Sequence, residues 1–223
     1  MRKIFLSLAL ILSICFIPGQ SNGDSGSLPI VVLPAANNNP QSPMVILITG
    51  DGGWKGFDPV LANQFVSEGV PVVVLNALHY FWSQKTPAES TQAITSLLNT
   101  YLRTWHKKSF LLIGYSFGAD VMPFIVNRLP HDLLTNCRGV VFISPGSTTD
   151  FEIHLSQMLG KKENWPYDVV REIQNLKTKK VLFFFGKEDR YFPVKSLPFQ
   201  SNQIINLPKE SSINFAQTIL EKL

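Results

Sequence analysis

Phe110-Leu111-Leu112-Ile113-Gly114-Tyr115-Ser116-Phe117-Gly118-Ala119-Asp120 reads as a buried strand, a sharp turn and the start of a helix. Phe110–Ile113 is apolar without polar alternation, the pattern of a parallel strand covered on both faces. Gly114-Tyr115-Ser116-Phe117-Gly118 then sets a serine between two glycines, the G-x-S-x-G arrangement. Small residues are needed there because so abrupt a strand-to-helix reversal crowds backbone against backbone. The turn lifts the serine hydroxyl above the sheet edge, and the following N–H groups point into the same space. Ser116 is therefore a candidate nucleophile, and the Phe117 N–H a candidate donor to a developing oxyanion.

Working outward, further apolar runs resemble Phe110–Ile113. Met44–Thr49, Val70–Leu75, Gly139–Ser144, Val181–Phe185 and Gln203–Asn206 complete a set of six expected strands, with Ile30-Val31-Val32 as a possible extra edge. Helical patterns alternate with them. Asp58 and Pro59 suggest a helix start that ends at Gly69. Thr86-Pro87-Ala88-Glu89 reads as a capping box, followed by an apolar face of Ile94, Leu97, Leu98, Tyr101 and Leu102. Pro123 should kink the helix after Ser116 or tighten its start. The segment 146–178 is irregular, helical only around Asp168–Leu176, and could form a small cap. A last helix is expected over Ser212–Leu220. Alternating strands and helices around a G-x-S-x-G turn imply the α/β class: a three-layer α/β-hydrolase fold, with a mostly parallel sheet of six strands or slightly more.

Gly50-Asp51-Gly52-Gly53-Trp54 follows an earlier strand, where this fold places its second oxyanion donor, and the Asp51 N–H is the candidate. Alternatively, the stretch is a glycine-rich connection with Trp54 simply packing. Asp189 follows the second strand after the nucleophile strand, the position of the orienting acid, with Glu188 in reserve. A charged turn would look the same. A histidine should then follow the last strand, but Leu207-Pro208-Lys209-Glu210-Ser211-Ser212 contains none. The four histidines are His79, His106, His131 and His154, all before Asp189. His79 follows a strand at the same edge as Ser116, and His154 lies in the possible cap. These two are candidates for a substitute base or a substrate contact. Without a paired base a serine hydroxyl is a weak nucleophile, so the fold reads more firmly than the activity.

The 223-residue chain is 45% hydrophobic and 16% charged, a composition suited to one globular domain. Arg2 and Lys3, an apolar run Ile4–Ile17 and then Pro18-Gly19-Gln20-Ser21-Asn22-Gly23 have the order of a secretory signal. The expected organisation is a signal peptide over 1–23, an N-terminal segment over 24–42, and the hydrolase-like domain over 43–223. The net charge of +4 falls to about +2 once Arg2 and Lys3 are removed, which is no nucleic-acid footprint. Of Cys15 and Cys137, only Cys137 would remain, expected as a small buried hydrophobe. The cysteine count offers no metal cluster, and the glycine loop lacks the Lys-Ser/Thr of a P-loop, so no metal, cofactor or nucleotide is expected.

Taken together, Gly50–Trp54, Tyr80-Phe81-Trp82 with Thr86-Pro87, and Gly114–Val121 resemble the VirJ family of bacterial virulence proteins, related to the hydrolase-like half of AcvB. The resemblance spans most of the chain after residue 43. It implies a periplasmic protein associated with type IV secretion, and for the AcvB-like members hydrolysis of lysyl-phosphatidylglycerol, an aminoacyl ester on a lipid headgroup. Carried over by motif, Ser116 is the nucleophile and Asp189 the orienting acid. The chain departs from the pattern at Ser211 and Ser212, where relatives are expected to carry histidine. The implied partners are a lipid headgroup or small ester and components or substrates of the secretion apparatus, with membrane contact only through the signal or the substrate. Asp51 and Asp120 would lie near Ser116, to attract a cationic headgroup or simply to brace loops. The alternative function is a non-catalytic binding or assembly protein on the same scaffold.

Overall fold

The computed structural model describes residues 27–37, 39–154, 165–178, 180–186, 189, 192–200, 203–207 and 213–223. The expected signal peptide, Cys15, Glu188 and the 208–212 loop lie outside the described residues.

Seven strands form one sheet in the order β1-β3-β2-β4-β5-β8-β9. Their spans are β1 Ile30–Leu33, β2 Met44–Ile48, β3 Val72–Leu75, β4 Phe110–Tyr115, β5 Cys137–Ile143, β8 Val181–Phe185 and β9 Ile204–Asn206. All neighbours are parallel except β1, which pairs antiparallel with β3 and closes one edge. Alternation along the strands divides the core. Met44, Ile46, Ile48, Phe110, Leu112, Phe142 and Phe183 face one layer. Val45, Leu47, Leu111, Ile113, Val141 and Phe184 face the other. Because both faces are covered, the strands read as unbroken apolar runs.

Helices α1 Phe57–Ser67 and Phe215–Lys222 pack together on the second face; α3 Pro87–Thr104 and α4 Phe117–Val126 do so on the first. Short helices α2 Ala77–Tyr80 and α5 His131–Asn136 lie in the connections. The expected capping box is present: Thr86 Oγ1 accepts from the Glu89 N–H at 3.1 Å, and Glu89 Oε2 accepts from the Thr86 N–H at 2.8 Å. Helix α1 ends in a Schellman motif at Gly69 (φ +75°), with Gly69 N–H to Val66 O and Val70 N–H to Phe65 O. Pro123 does not end α4, which runs on to Val126.

Several boundaries depart from the sequence reading for local reasons. Strand β3 begins after Pro71, which has no N–H, although its carbonyl accepts from Val45 at 2.9 Å. Strand β5 begins two residues early, at buried Cys137, and a bulge opposite Phe110/Leu111 lets Arg138 step out of register. Asp58 is not the cap of α1. Gly56 holds that position at φ 61°, and Asp58 is the buried second residue of the helix. The segment after β5 forms a two-stranded ribbon, β6 Thr148–Thr149 with β7 Tyr167–Asp168, leading into the helix Val169–Gln174 capped by Asp168. No helix among the described residues is long and apolar enough to cross a membrane.

Candidate active site

Strand β4 sits between β2 and β5, where the winding of the sheet reverses, so the loops leaving β2 and β4 face each other at the carboxyl edge. Ser116 occupies the turn after β4 at φ 49° and ψ −118°. A non-glycine residue held there costs on the order of 1–3 kcal/mol and persists only where its surroundings enforce it. The enforcement is visible. Ser116 donates its N–H to Ile143 O at 2.8 Å, while its carbonyl accepts from Ala119 at 2.8 Å and Asp120 at 3.1 Å. The flanking glycines are spatial necessities: a Cβ on Gly114 would lie 2.6 Å from Ala119 N, and one on Gly118 would strike the Ile48 carbonyl.

The opposing loop is Gly50–Trp54. A Cβ on Gly50 would lie 3.6 Å from Ser116 Cβ and 3.3 Å from the Tyr115 ring, so this backbone runs close against the elbow and a larger residue would press on the ring. Gly53 (φ 72°) turns the loop, donating to Gly50 O at 3.0 Å. Thr49 Oγ1 accepts from the Ala77 N–H at 2.9 Å and ties the loop to the one after β3. The Phe117 N–H belongs to the first turn of α4, where amides have no intrahelical partner. Neither it nor the Asp51 N–H donates to another described backbone carbonyl. Trp54 is partly buried and packs against the core of the second face.

Four carboxylates converge on this edge. Asp120, in the first turn of α4, is buried and accepts from the Gly146 N–H at 2.5 Å. Burial pushes its carboxyl up to about 7, against the pull of the Gly146 N–H and with the charges of Asp51 and Asp189 adding to the rise. Asp58 lies beneath the glycine loop, 2% exposed, with Oδ1 unpartnered. Burial raises it to about 7 as well, opposed by the Gly50 N–H and its own, and reinforced by Asp51. The Tyr115 hydroxyl is raised by burial and then by Asp58, Asp189 and Asp51. Asp189 turns back on its own loop, Oδ2 accepting from the Gly186 N–H at 2.5 Å. The Lys55 side chain lies across Gly52 of the same loop, so close that a Cβ there would meet its Cε at 2.7 Å.

The histidines divide by edge. His106 follows α3 and precedes β4, and His131 opens the helix that leads into β5, so both belong to the edge opposite Ser116. His79 lies in α2, after β3 and on the Ser116 side, with an exposed ring. His154 lies beyond β6, its Nε2 2.9 Å from Asp150 Oδ2 and its ring stacked on Trp165 at 4.6 Å. No hydrogen bond joins the Ser116 hydroxyl to a histidine among the described residues. The sequence reading passes over Asp58, which it takes for a helix cap, and the Asp150–His154 pair, whose four-residue spacing is a usable signal.

Residues 42–222 match the model of one family, described as bacterial virulence protein (VirJ). Among solved structures, Est1E from Butyrivibrio proteoclasticus superposes with a TM-score of 0.59 at 13% identity, covering 86% of this chain and 93% of that one. The proline iminopeptidase of Mycobacterium smegmatis gives 0.53 at 13%, covering 86% and 94%. The monoacylglycerol lipase of Paleococcus ferrophilus gives 0.51 at 15%, covering 81% and 88%. At such identities the likeness is one of fold. No curated protein sequence matches. The sheet order, the elbow serine and these neighbours define an α/β-hydrolase fold. Within it, the chain belongs to the VirJ family of bacterial virulence proteins.

Proposed function

We propose that this protein is an exported, periplasmic serine hydrolase that cleaves an ester carrying a cationic group, an aminoacylated lipid such as lysyl-phosphatidylglycerol. The observation that carries the reading is the strained Ser116, with the uncommitted Phe117 and Asp51 N–H groups beside it and Asp51, Asp58, Asp120 and Asp189 around it. The Ser116 hydroxyl attacks the ester carbonyl, and the two N–H groups hold the oxyanion. Asp51 and Asp189 give the cleft a negative field that concentrates a cationic substrate and disfavours an anionic one, and Asp58 and Asp120 add to it only as the pH rises past about 7. A link to type IV secretion belongs to the same reading, through the family.

The test has two parts. Purified protein is treated with a fluorophosphonate probe beside Ser116→Ala, and vesicles containing lysyl-phosphatidylglycerol are assayed for released lysine. Labelling lost in the variant, together with lysine release, is the expected result. Folded protein that neither labels nor releases lysine would favour the second reading, a binding or assembly protein on a hydrolase scaffold. That reading is favoured by one specific observation: no histidine occurs after His154 in the sequence.

A further inference from the structure

We infer that His154, oriented by Asp150, is the base that serves Ser116, so that the acid–base pair of this hydrolase comes from the segment after β6 rather than from the loops after β8 and β9. The inference rests on the hydrolase reading and supplies what that reading lacks.

Position comes first. Of the four histidines, two belong to the wrong edge of the sheet. The remaining two differ in one decisive respect: His154 has a carboxylate partner, whereas the exposed His79 ring is hydrogen-bonded to no described residue. A catalytic imidazole needs a third group that fixes its orientation and stabilises the imidazolium. Asp150 fits that role. Its side chain is 11% exposed, Oδ1 accepts from the Phe151 N–H at 2.7 Å, and Oδ2 meets His154 Nε2 at 2.9 Å. The stacked Trp165 fixes the plane of the ring. Nδ1 is left to exchange the proton. Asp189, the expected orienting acid, is instead engaged with the Gly186 N–H of its own loop.

The segment is also anchored beside the elbow. The Ile153 N–H donates to Phe81 O at 2.8 Å, and the Lys85 N–H donates to Phe151 O at 2.9 Å. The Phe81 ring is 5.1 Å from that of Phe117, the residue next to Ser116, and 6.0 Å from that of Phe151. At its other end the Gly146 N–H is bound by Asp120, one turn beyond Ser116. The approach through Gly146 is thus fastened to the first turn of α4, and Phe151–Ile153 to Phe81 and Lys85, with the Phe151 ring also 5.7 Å from that of Phe124 further along α4.

In the reaction, the Oγ–H proton passes to His154 Nδ1 as the Oγ–carbon bond forms and the carbonyl electron pair moves onto the oxyanion. Collapse breaks the carbon–oxygen bond to the alcohol, which leaves with the proton from the imidazolium. Water, deprotonated by the same nitrogen, then releases the acid and restores Ser116. Asp150 acts through His154 and is a positioning residue.

The test follows the rate of fluorophosphonate labelling of Ser116 in the full protein, with fold checked by circular dichroism. His154→Gln should slow labelling about 100-fold or more, the ordinary worth of a general base. Asp150→Asn should slow it about 10-fold. His154→Gly should be slow and should recover in added imidazole, a rescue that a purely structural role would not produce. Full-rate labelling of folded His154→Gln, or loss of labelling in His79→Gln instead, would overturn the inference and leave the hydrolase reading standing. Wild-type protein that never labels would overturn both.

Discussion

Asp120, in the first turn of α4, accepts a hydrogen bond from the Gly146 N–H at 2.5 Å and so ties the helix behind Ser116 to the loop beyond β5. The site is assembled by such bonds between loops that are far apart in sequence. The same bond has a thermodynamic signature, because it is made by a carboxyl that burial keeps protonated.

In the folded chain Asp120 and Asp58 hold their protons up to about pH 7, whereas free carboxyls release theirs near 3.8. Between those values the folded state binds more protons than the unfolded one, so their contribution makes stability fall as pH rises from about 4 to about 7. Above that range the full cost of ionising and burying them is present. Asp120→Asn keeps an acceptor for Gly146 and removes the charge. It should stabilise the protein at pH 8 by on the order of 2–4 kcal/mol and change little at pH 4. Urea unfolding at both pH values measures this, and an equal effect at both would refute it.

Two glycine substitutions should separate crowding from conformational strain. A Cβ on Gly118 meets the Ile48 backbone and lies 2.7 Å from Thr49 O, and backbone cannot step aside. Gly118→Ala should cost about 3 kcal/mol or more, and soluble yield should drop. Gly56 is the opposite case, with a positive φ of 61° but nothing within 4 Å, so Gly56→Ala should cost only the backbone strain, about 1–3 kcal/mol. Thermal melts of the pair would show the ranking.

The capping box of α3 predicts non-additive losses. Thr86→Ala removes the acceptor for the Glu89 N–H and should cost about 1 kcal/mol. Glu89→Ala removes the reciprocal bond to the Thr86 N–H. The double variant should lose less than the sum of the two, because each bond positions the other. A double-mutant cycle of urea unfolding energies would reveal simple additivity if the box were incidental.

Cys137 should be silent in the native protein. Its thiol is buried, and burial pushes it up to about 12, so the thiolate that reacts with alkylating reagents is scarce. Iodoacetamide at pH 8 should modify Cys137 only after unfolding. Peptide mapping of native and denatured samples would expose early modification at this position.

Much of the architecture was legible because its signals are short-range. Val181–Phe185 was read to the residue, the Thr86–Glu89 box was visible in four letters, and Gly114–Gly118 identified the elbow. Ile30-Val31-Val32 was recognisable as a possible edge strand, but neither its partner β3 nor its antiparallel direction was, since pairing is not written in one strand's own pattern. Asp58 misled for a related reason. An aspartate before a proline looks like a cap, yet Gly56 takes the entry turn and Asp58 goes beneath the glycine loop.

What this sequence determined by itself is the layered α/β sheet and the serine that crowns it, because unbroken apolar runs, caps and glycine turns act over a few residues. Only the tertiary structure decided what surrounds that serine. Asp51, Asp58, Asp120 and Asp189 come from four separate stretches, and the charge of Asp51 reaches Asp58, and those of Asp51 and Asp189 reach Asp120, only once the sheet has brought its loops together. His154 and Asp150 are near in sequence, but the segment that carries them is positioned by the contacts of Phe151 with Phe81 and Phe124. Electrostatic environment and cross-loop packing are properties of distance in space, which the order of residues along the chain does not contain.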